Sequence, residues 1–273
     1  MNYTITSKDN KFIKLIKSLN HKKYRESESK YFIEGIKIIS EAIKQRIPVE
    51  DVVICPDILN KVRGGIEFGE TLERDEFRIH YVPENIFNDI CSTETPQGVL
   101  AVISRGNYDL NNLIIKTDGF YIVLDGIQDP GNLGTIIRTA DAVNADGIIL
   151  SDGCTDAFSP KTLRSTMGSI FRVNVFENIN LEDALQKMKR YKIKILASSL
   201  EAKKLYFEED FENGTAIVIG SESHGIRPAV LNLADSLIKI PMSEQIDSLN
   251  ASVAAGILIY EKYRRVFENY RLK

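Results

Sequence analysis

Mostly apolar runs of strand length recur along the chain beyond residue 119. They occupy residues 120–124, 147–150, 193–198, 215–220 and 237–242. Such runs are typical of strands that are buried on both faces of a parallel sheet. Between the first two runs, residues 129–132 form a turn signal, Asn132 is a candidate helix cap, and apolar residues then recur at helical spacing. The pattern predicts a strand–helix–strand unit between residues 120 and 150.

The remaining hydrophobic patterns predict an α/β chain with two domains. Strands are predicted at residues 31–34, 52–54, 78–82, 98–103 and 170–176, and helices at residues 35–43, 159–168, 181–190 and 250–269. Residues 57–76 are charged and contain glycines, so we expect an irregular connection there. The boundaries that follow are a small α/β domain at residues 1–105, a linker at 106–117 and a domain with a mainly parallel sheet at 118–273.

Polar side chains follow three of the predicted strands of the second domain. Because ligands bind at the carboxyl ends of strands in open α/β sheets, we expect the polar residues after residue 124 to line one crevice. These residues are Asp125, Gln128, Asn132 and Arg138. A second polar loop, residues 221–225, carries Glu222 as an acceptor or base, although its composition is also typical of a structural turn. A third polar loop covers residues 243–250.

The last predicted helix is apolar over more than one stripe of its surface. Ala251, Ala254, Ala255 and Leu258 form a seam of mostly small residues, and Val253, Ile257, Tyr260 and Tyr263 add a second apolar face. A helix of this kind is usually buried on two sides. We therefore expect it to pack against the sheet and against a second subunit, which predicts a homodimer.

Charge changes this picture only locally. The formal net charge of −3 gives no general attraction to polyanions, so any nucleic-acid contact must rest on basic patches. Residues 1–30 hold eight Lys and Arg against three acids, and Lys8, Lys11, Lys14 and Lys17 would form one stripe on a helix. That stripe is either a solvated face or a phosphate contact. Lys161 and Arg164, on one side of the short helix predicted at residues 159–168, offer the same two interpretations.

Cysteine spacing and hydropathy argue against several classes of protein. Cys55, Cys91 and Cys154 are far apart and form no CxxC pair, which disfavours a disulfide framework or a zinc site. No apolar run reaches the roughly eighteen residues of a transmembrane helix, and the first residues lack the apolar core of a signal peptide. We expect no metal and no membrane anchor, and a reducing compartment, most simply the cytoplasm.

A nicotinamide-dependent oxidoreductase is the main alternative from another class. The strand–helix–strand unit has glycines in its first loop and an acid, Asp152, about twenty residues beyond Gly131. The sequence Gly131-Asn132-Leu133-Gly134 does not have the GxGxxG spacing, however. Two further polar loops would also have no role. The pattern therefore disfavours this alternative.

Three segments of the second domain resemble the signature motifs of a known family. LDGIQDPGNLGTIIRTADA, IVIGSESHGI and IPMSEQIDSLNASVAAGILIYE are similar, in order and spacing, to the motifs of the SpoU (TrmH) family of RNA 2'-O-ribose methyltransferases in the SPOUT superfamily. More loosely, the first domain, with FIEGIKIISEAI and TPQGVLAV, resembles the RNA substrate-binding α/β domain of two-domain members, which mostly modify large-subunit rRNA.

This resemblance implies a fold, a cofactor and a set of site residues. The second domain would be a trefoil-knotted α/β methyltransferase domain that dimerises and binds S-adenosylmethionine. The implied catalytic residues are Asn132, Arg138, Glu222, Ser248 and Asn250, and the implied cofactor-binding residues are Gly220, Ile240, Met242 and Leu249. The implied reaction is methyl transfer to a ribose 2'-hydroxyl in 23S rRNA or, alternatively, in tRNA. A non-catalytic RNA-binding protein of the same fold is the other alternative.

Two roles are open for Arg138. The resemblance implies that it is the base that deprotonates the ribose hydroxyl, although a guanidinium ordinarily keeps its proton at neutral pH. Alternatively, a charged Arg138 clamps the RNA phosphate and orients the hydroxyl, with Asn132 and Glu222 holding the guanidinium. In both cases Lys161, Arg164 and the first domain would grip the RNA.

Overall fold

The computed structural model describes residues 2–106, 110–211, 214–243 and 245–271. The chain divides into two compact units, residues 1–106 with 158–171, and residues 107–157 with 172–273. Residues 158–171 thus cluster with the first unit, although they follow the start of the predicted second domain. Residues 107–109 of the predicted linker and Glu244 of the third polar loop lie outside the described residues.

The structure has strands and helices in alternation. The strands are β1 (Asn2–Thr4), β2 (Lys30–Glu34), β3 (Val49–Ile54), β4 (Ile79–Tyr81), β5 (Val99–Ser104), β6 (Phe120–Asp125), β7 (Gly147–Leu150), β8 (Val175–Phe176), β9 (Lys194–Ser198), β10 (Lys204–Leu205), β11 (Thr215–Gly220) and β12 (Ser236–Lys239). The helices are α1 (Lys11–Ser18), α2 (Lys22–Glu28), α3 (Ile36–Lys44), α4 (Pro56–Leu59), α5 (Gly65–Arg74), α6 (Glu84–Ile90), α7 (Pro130–Ala142), α8 (Pro160–Thr166), α9 (Leu181–Arg190), α10 (Pro228–Leu231) and α11 (Ala251–Arg271).

The first unit contains a five-stranded mixed sheet in the order β1-β4-β3-β5-β2. β1, β4 and β3 are parallel, whereas β5 is antiparallel to both β3 and β2. Helix α1 buries Ile13 and Ile16 and turns its lysines to solvent, as its pattern predicts. Lys8 and Lys17 lie near Asp89, and Lys17 Nζ is 3.0 Å from Asp89 Oδ1. The predicted lysine stripe is therefore partly neutralised by acids of its own unit.

Residues 57–76 are not the irregular connection that their composition suggested, because α4 and α5 occupy most of this segment. Pro56 starts α4 at a position where its missing N–H is not needed. Leu59 and Leu72 are almost completely buried and fix the two helices to the core. Gly65 permits their close approach, since a Cβ there would lie 1.9 Å from the Leu59 carbonyl oxygen. Charge and glycine content had concealed a buried helix face.

The second unit contains a seven-stranded sheet in the order β10-β12-β9-β11-β6-β7-β8, and every pairing in it is parallel. All six residues of β6 are buried, as expected for a central strand that is covered on both faces. β6 and β11 are in register from Phe120↔Thr215 to Asp125↔Gly220. The strands of this pair therefore end side by side at the carboxyl edge of the sheet.

Three sequence predictions for the predicted second domain were wrong in detail. Asp129, not Asn132, caps α7, because Pro130 has a backbone angle suited to the first helical position and the Asp129 carboxylate then accepts the Asn132 N–H at 2.8 Å. The strand predicted at residues 170–176 is a 3₁₀ turn, Ser169–Phe171, followed only by the two residues of β8. The strand predicted at residues 237–242 ends at Lys239, shortly before Pro241, which has no N–H to continue the pairing.

Helix α11 has one buried and one exposed apolar face. Ala255, Leu258 and Ile259 are completely buried against the unit. The opposite face exposes large apolar side chains: Val253 52%, Tyr260 50%, Tyr263 37% and Phe267 47%. Within the part of the chain that is described, no helix is long and apolar enough to span a bilayer.

A buried carboxylate joins three adjacent strands at the amino edge of the second sheet. Glu209 is 3% exposed, accepts a hydrogen bond from Lys194 Nζ at 2.7 Å and lies 3.0 Å from Lys204 Nζ. Burial alone raises the pKa of Glu209, but hydrogen bonds from Lys194 and Ser236 outweigh it and lower the pKa to about 2. Lys194, Lys204 and Ser236 begin β9, β10 and β12, so this one side chain ties the three strands together.

Glu209→Gln is expected to destabilise the protein in a pH-dependent way. The folded pKa of about 2 lies below the ordinary value of 4.5. A tenfold change in an acid dissociation constant corresponds to about 1.4 kcal/mol. The free energy of unfolding of the variant should therefore be lower by roughly 3 kcal/mol near neutral pH. Because the pKa is lowered, the wild-type advantage is complete above pH 4.5 and is lost as the pH falls towards 2. Urea unfolding at several pH values measures this difference.

The control is Glu182→Gln, which removes a partly exposed carboxylate on α9. That variant should change the free energy of unfolding by less than about 0.5 kcal/mol. An equal loss in both variants, or a Glu209→Gln penalty that does not shrink in acid, would contradict the assignment.

Candidate active site

A cleft opens at the carboxyl edge of the second sheet. Its volume is about 580 Å³, and it is lined by residues 198–201 at the end of β9, residues 219–226 around the end of β11, residues 238–240 and 242 at and beyond the end of β12, and the start of α11. Ile226 and Ile238 are buried in its walls, whereas Ser221 and Ser248 bring polar groups to it. The parallel sheet thus creates one pocket from loops that are remote in sequence.

All four residues implied in cofactor binding line this cleft: Gly220, Ile240, Met242 and Leu249. Position 220 requires a glycine, because a Cβ there would lie 2.1 Å from the carbonyl carbon of Gly225. The end of β11 and the loop that follows it are therefore too close for any side chain between them. Backbone groups form this part of the wall.

Three of the residues implied as catalytic form one hydrogen-bond network at the rim of the cleft. Asn132 Nδ2 donates to Glu222 Oε1, and Asn250 Nδ2 donates to Asn132 Oδ1 at 3.0 Å. The Ala251 N–H is 3.4 Å from the same Glu222 oxygen. This amide orientation of Asn132 satisfies both of its contacts. A flipped amide would place its oxygen against the Glu222 carboxylate and its nitrogen against Asn250 Nδ2. The network joins α7, the loop after β11 and the start of α11.

Local structure fixes each member of this network. Because Asp129 caps α7, the Asn132 side chain is not needed as a cap and is available to Glu222 and Asn250. Asn250 is itself the cap of α11, since its Oδ1 accepts the N–H groups of Ser252 at 3.0 Å and Val253 at 3.3 Å. The Glu222 carboxylate lies near this helix amino terminus, where a negative charge is favourable.

Arg138 and Ser248 are not members of the network. Arg138 lies about one and two-thirds turns beyond Asn132 on α7 and is exposed. Its side chain has no hydrogen-bond or ion-pair partner among the described residues, so the expected contact of Asn132 and Glu222 with the guanidinium is not formed. Ser248 lines the cleft and is also exposed. Both side chains are open to an incoming ligand.

The polar loop after β11 is a tight turn as well as a cleft wall. Ser221 and Gly225 exchange two backbone hydrogen bonds, at 3.2 and 2.9 Å. Gly225 has φ +65°, a conformation that favours glycine. His224 is exposed, and its Nδ1 contacts the neighbouring Ser223 hydroxyl at 2.7 Å. This geometry is typical of a loop histidine.

Lys161 and Arg164 lie on α8, in the first unit. The predicted helix signals are present, with Ser159 as the cap and Pro160 at the first position. Arg164 Nη1 donates to Ser92 Oγ at 2.6 Å, whereas the exposed Lys161 side chain has no hydrogen-bond partner among the residues that the structure describes. The two basic residues therefore differ in how freely they can meet an anion.

Sequence reasoning missed two contributors to the site. Residues 198–201 line the cleft because β9 ends at the same edge as β11. Knowledge of the strand order would have indicated these residues. Arg227 was also missed: its Nε donates to Asp125 Oδ1 at 2.9 Å. Asp125, expected in the crevice, is only 3% exposed and is occupied by this contact.

Among the described residues, neither an activated thiol nor a metal-binding cluster is found. Burial raises the pKa of the Cys154 thiol, which favours the unreactive protonated form. In the described ranges, no three His, Cys, Asp or Glu side chains are grouped closely enough to hold a metal ion.

Comparisons with known proteins place both units in context. The SpoU rRNA Methylase family matches residues 119–260, and the MRM3-like substrate binding domain matches residues 10–101. The chain is 33% identical to the 23S rRNA (guanosine(2553)-2'-O)-methyltransferase RlmP of Bacillus subtilis (strain 168), over 94% of this chain and 97% of the relative.

Two solved structures have the same architecture across nearly the whole chain. The AdoMet-bound rRNA methyltransferase from Sinorhizobium meliloti is 28% identical, with a TM-score of 0.83 over 97% of this chain and 98% of that chain. A protein described as an RNA 2'-O ribose methyltransferase is 29% identical, with a TM-score of 0.79 over 97% and 99% of the two chains. These similarities include both units of the chain.

Proposed function

This chain belongs to the SpoU rRNA methylase family, and we infer from that membership that it transfers a methyl group from S-adenosylmethionine to a ribose 2'-hydroxyl of RNA. The observation that carries the proposal at residue level is the cleft with the Asn132–Glu222–Asn250 network at its rim. A network that joins three of the residues implied as catalytic favours an active enzyme over a non-catalytic RNA-binding protein. We place the reaction in the cytoplasm.

Large-subunit rRNA is the proposed substrate. The Bacillus subtilis relative, which covers nearly the whole chain, is named a 23S rRNA methyltransferase. The first unit matches a substrate-binding domain over residues 10–101, which supports a dedicated contact with a large RNA. A tRNA substrate remains the alternative and is distinguished in the assay below.

The cleft suits the cofactor by its composition. Apolar side chains such as Ile226 and Ile238 stand beside the backbone groups of Gly220, Ile240 and Leu249. A ligand with a flat purine ring and a polar tail fits such a mixed lining. When bound, S-adenosylmethionine supplies a methyl group on a sulfonium, which is the electrophile for the ribose oxygen. Gly220, Ile240, Met242 and Leu249 would hold it.

The protein contributes mainly orientation. Well-oriented reacting groups can gain roughly 7 to 11 kcal/mol relative to free reactants, whereas general-base proton removal typically contributes about 10² to 10⁴ in rate. Asn132, Glu222 and Asn250 restrain one another, and Ser248 adds a hydroxyl on the cleft wall. We assign these four residues to the positioning of the cofactor and the ribose.

Arg138 would meet the RNA. Because its guanidinium is exposed and has no partner among the described residues, it is available to bind a phosphate and orient the neighbouring 2'-hydroxyl. The base role is the alternative, and it requires an environment that removes the guanidinium proton. Lys161 and Arg164, with the first domain, would add salt-sensitive contacts with the RNA backbone.

A homodimer through α11 is proposed as the working assembly. Tyr260, Tyr263 and Phe267 form a row on the exposed face, with ring centroids 6.0 Å apart at each step. A contiguous apolar face of this size usually marks an interface. The trefoil knot implied by the resemblance likewise stays a prediction.

Methyl transfer to rRNA is the direct test of the proposed function. Full-length protein is incubated with radiolabelled S-adenosylmethionine and total rRNA or total tRNA from a strain that lacks the gene. Label should enter rRNA and appear in an alkali-resistant dinucleotide, because a 2'-O-methyl group blocks alkaline cleavage. Label in tRNA alone would favour the alternative substrate. Binding of S-adenosylhomocysteine with no transfer to either RNA would contradict an enzymatic role.

Variants separate the roles of the site residues in the same assay. Asn250→Asp keeps the oxygen that caps α11 but loses the donor to Asn132, so transfer should fall about tenfold while stability changes little. Arg138→Lys keeps the charge. Near-normal turnover in that variant would exclude the base role, whereas retained RNA affinity with transfer lost at every pH would contradict a pure clamp.

Charge placed on the exposed face of α11 should dissociate the dimer. Tyr260→Asp with Tyr263→Asp buries two carboxylates in the proposed interface, which is unfavourable, so the mass from light scattering should fall from that of two chains to that of one. Tyr191→Asp, at a tyrosine that is 44% exposed after α9, is the matched control and should remain dimeric. A monomeric wild type would contradict the proposal.

A further inference from the structure

Asp125 has a buried carboxylate, and both of the groups described as donating hydrogen bonds to it belong to Arg227. It ends β6 in the interior of the second sheet and is 3% exposed. A carboxylate in such a position is costly unless it is paired and hydrogen-bonded. The backbone N–H of Arg227 donates to Oδ2 at 2.9 Å, and the side-chain Nε donates to Oδ1 at 2.9 Å. Residue 227 is thereby tied to β6 twice.

Both ends of the polar loop at residues 221–226 converge on this carboxylate. Gly220, the residue before the loop, is the register partner of Asp125 in the parallel pair of β11 and β6. Arg227, the residue after the loop, returns to the Asp125 side chain. The loop is therefore closed at its base by a single residue of the neighbouring strand, and its internal bridge between Ser221 and Gly225 completes a compact unit.

This loop carries much of the site. Residues 221–226 form one wall of the cleft, and Glu222 reaches from the loop to Asn132. Asn132 lies on α7, which follows β6 and hence Asp125 itself. A displacement of Arg227 would therefore move Glu222 and the cleft wall relative to α7.

We propose that Asp125 and Arg227 are positioning residues that hold the loop at residues 221–226 in its ligand-binding conformation. The proposal rests on the proposed function only for the identity of the ligand. The Arg227 side chain is 47% exposed, so solvent screens its charge and the Coulombic part of the ion pair is small. Its effect is geometric, because the two donors at residue 227 fix the direction in which the loop returns to the sheet.

Hydrogen exchange of the free protein tests this role without any ligand. In Arg227→Ala, the amides of residues 221–226 should exchange about tenfold faster, because the loss of a charge-assisted hydrogen bond frees the base of the loop. Exchange in the rest of the unit should stay unchanged, which also shows that the variant folds. Arg227→Lys, which keeps a cation beside Asp125, should recover part of the protection.

Arg172→Ala is the matched control. It removes another guanidinium of the same unit. Arg172 donates to Asp141 Oδ2 at 2.9 Å from Nε and at 2.6 Å from Nη2, and it does not line the cleft. Unchanged exchange of residues 221–226 in Arg227→Ala, or an equal increase in Arg172→Ala, would overturn the proposal. The same result in Arg227→Lys as in Arg227→Ala would also overturn it, because a positioning cation should be partly replaceable.

Binding completes the test and separates the two hypotheses. By calorimetry, S-adenosylhomocysteine should bind Arg227→Ala about tenfold more weakly than the wild type, with RNA affinity within about twofold. If the wild type transfers no methyl group but the exchange pattern is as expected, the proposed function fails and the positioning role stands. If the wild type is active and the loop of Arg227→Ala is unchanged, only the positioning role fails.

Discussion

The site depends on the parallel register between β6 and β11. Because the two strands run in the same direction and end level with each other, the segments that follow them start at one edge of the sheet. Asn132 and Glu222, which are 90 residues apart in the sequence, meet there. The segment after β12 reaches the same edge and brings Asn250 to Asn132. A change of this register would separate the groups that form the cleft.

Two buried carboxylates stabilise this arrangement at opposite edges of the sheet. Glu209 joins the amino ends of β9, β10 and β12, and Asp125 joins the carboxyl end of β6 to the loop after β11. Between them the sheet is packed by apolar burial, which has no directional preference. The carboxylates supply direction, because a buried carboxylate is costly unless specific donors hydrogen-bond to it. Strand burial and polar pairing thus have separate roles in the same sheet.

The sequence predicted the fold class well, because it follows from strong patterns, whereas the site residues were implied by the resemblance. The buried runs of β6, β7, β9 and β11 and the three motifs led to a mainly parallel sheet and to the residues that line the cleft. The α5 segment was missed because its many charges concealed one buried face, and the cap of α7 was misassigned because Asp129 and Asn132 are both good capping residues.

Contacts made by long-range pairing could not be predicted from local patterns. The link between Asp125 and Arg227 joins residues 102 positions apart, and neither local sequence carries a signal for it. The exposed position of Arg138 was also not foreseen, since the motif gives its place in the sequence but not the direction of its side chain on α7. The first contact required the strand order, and the second fact required the packing of α7.

The most direct test of this account is a crystal structure of the protein with S-adenosylhomocysteine. The account predicts that the sulfur lies in the cleft beside Gly220, Ile240 and Leu249, with the hydrogen bonds among Asn132, Glu222 and Asn250 intact. A ligand bound at another edge of the sheet, or a cleft whose three segments separate when the ligand binds, would contradict it.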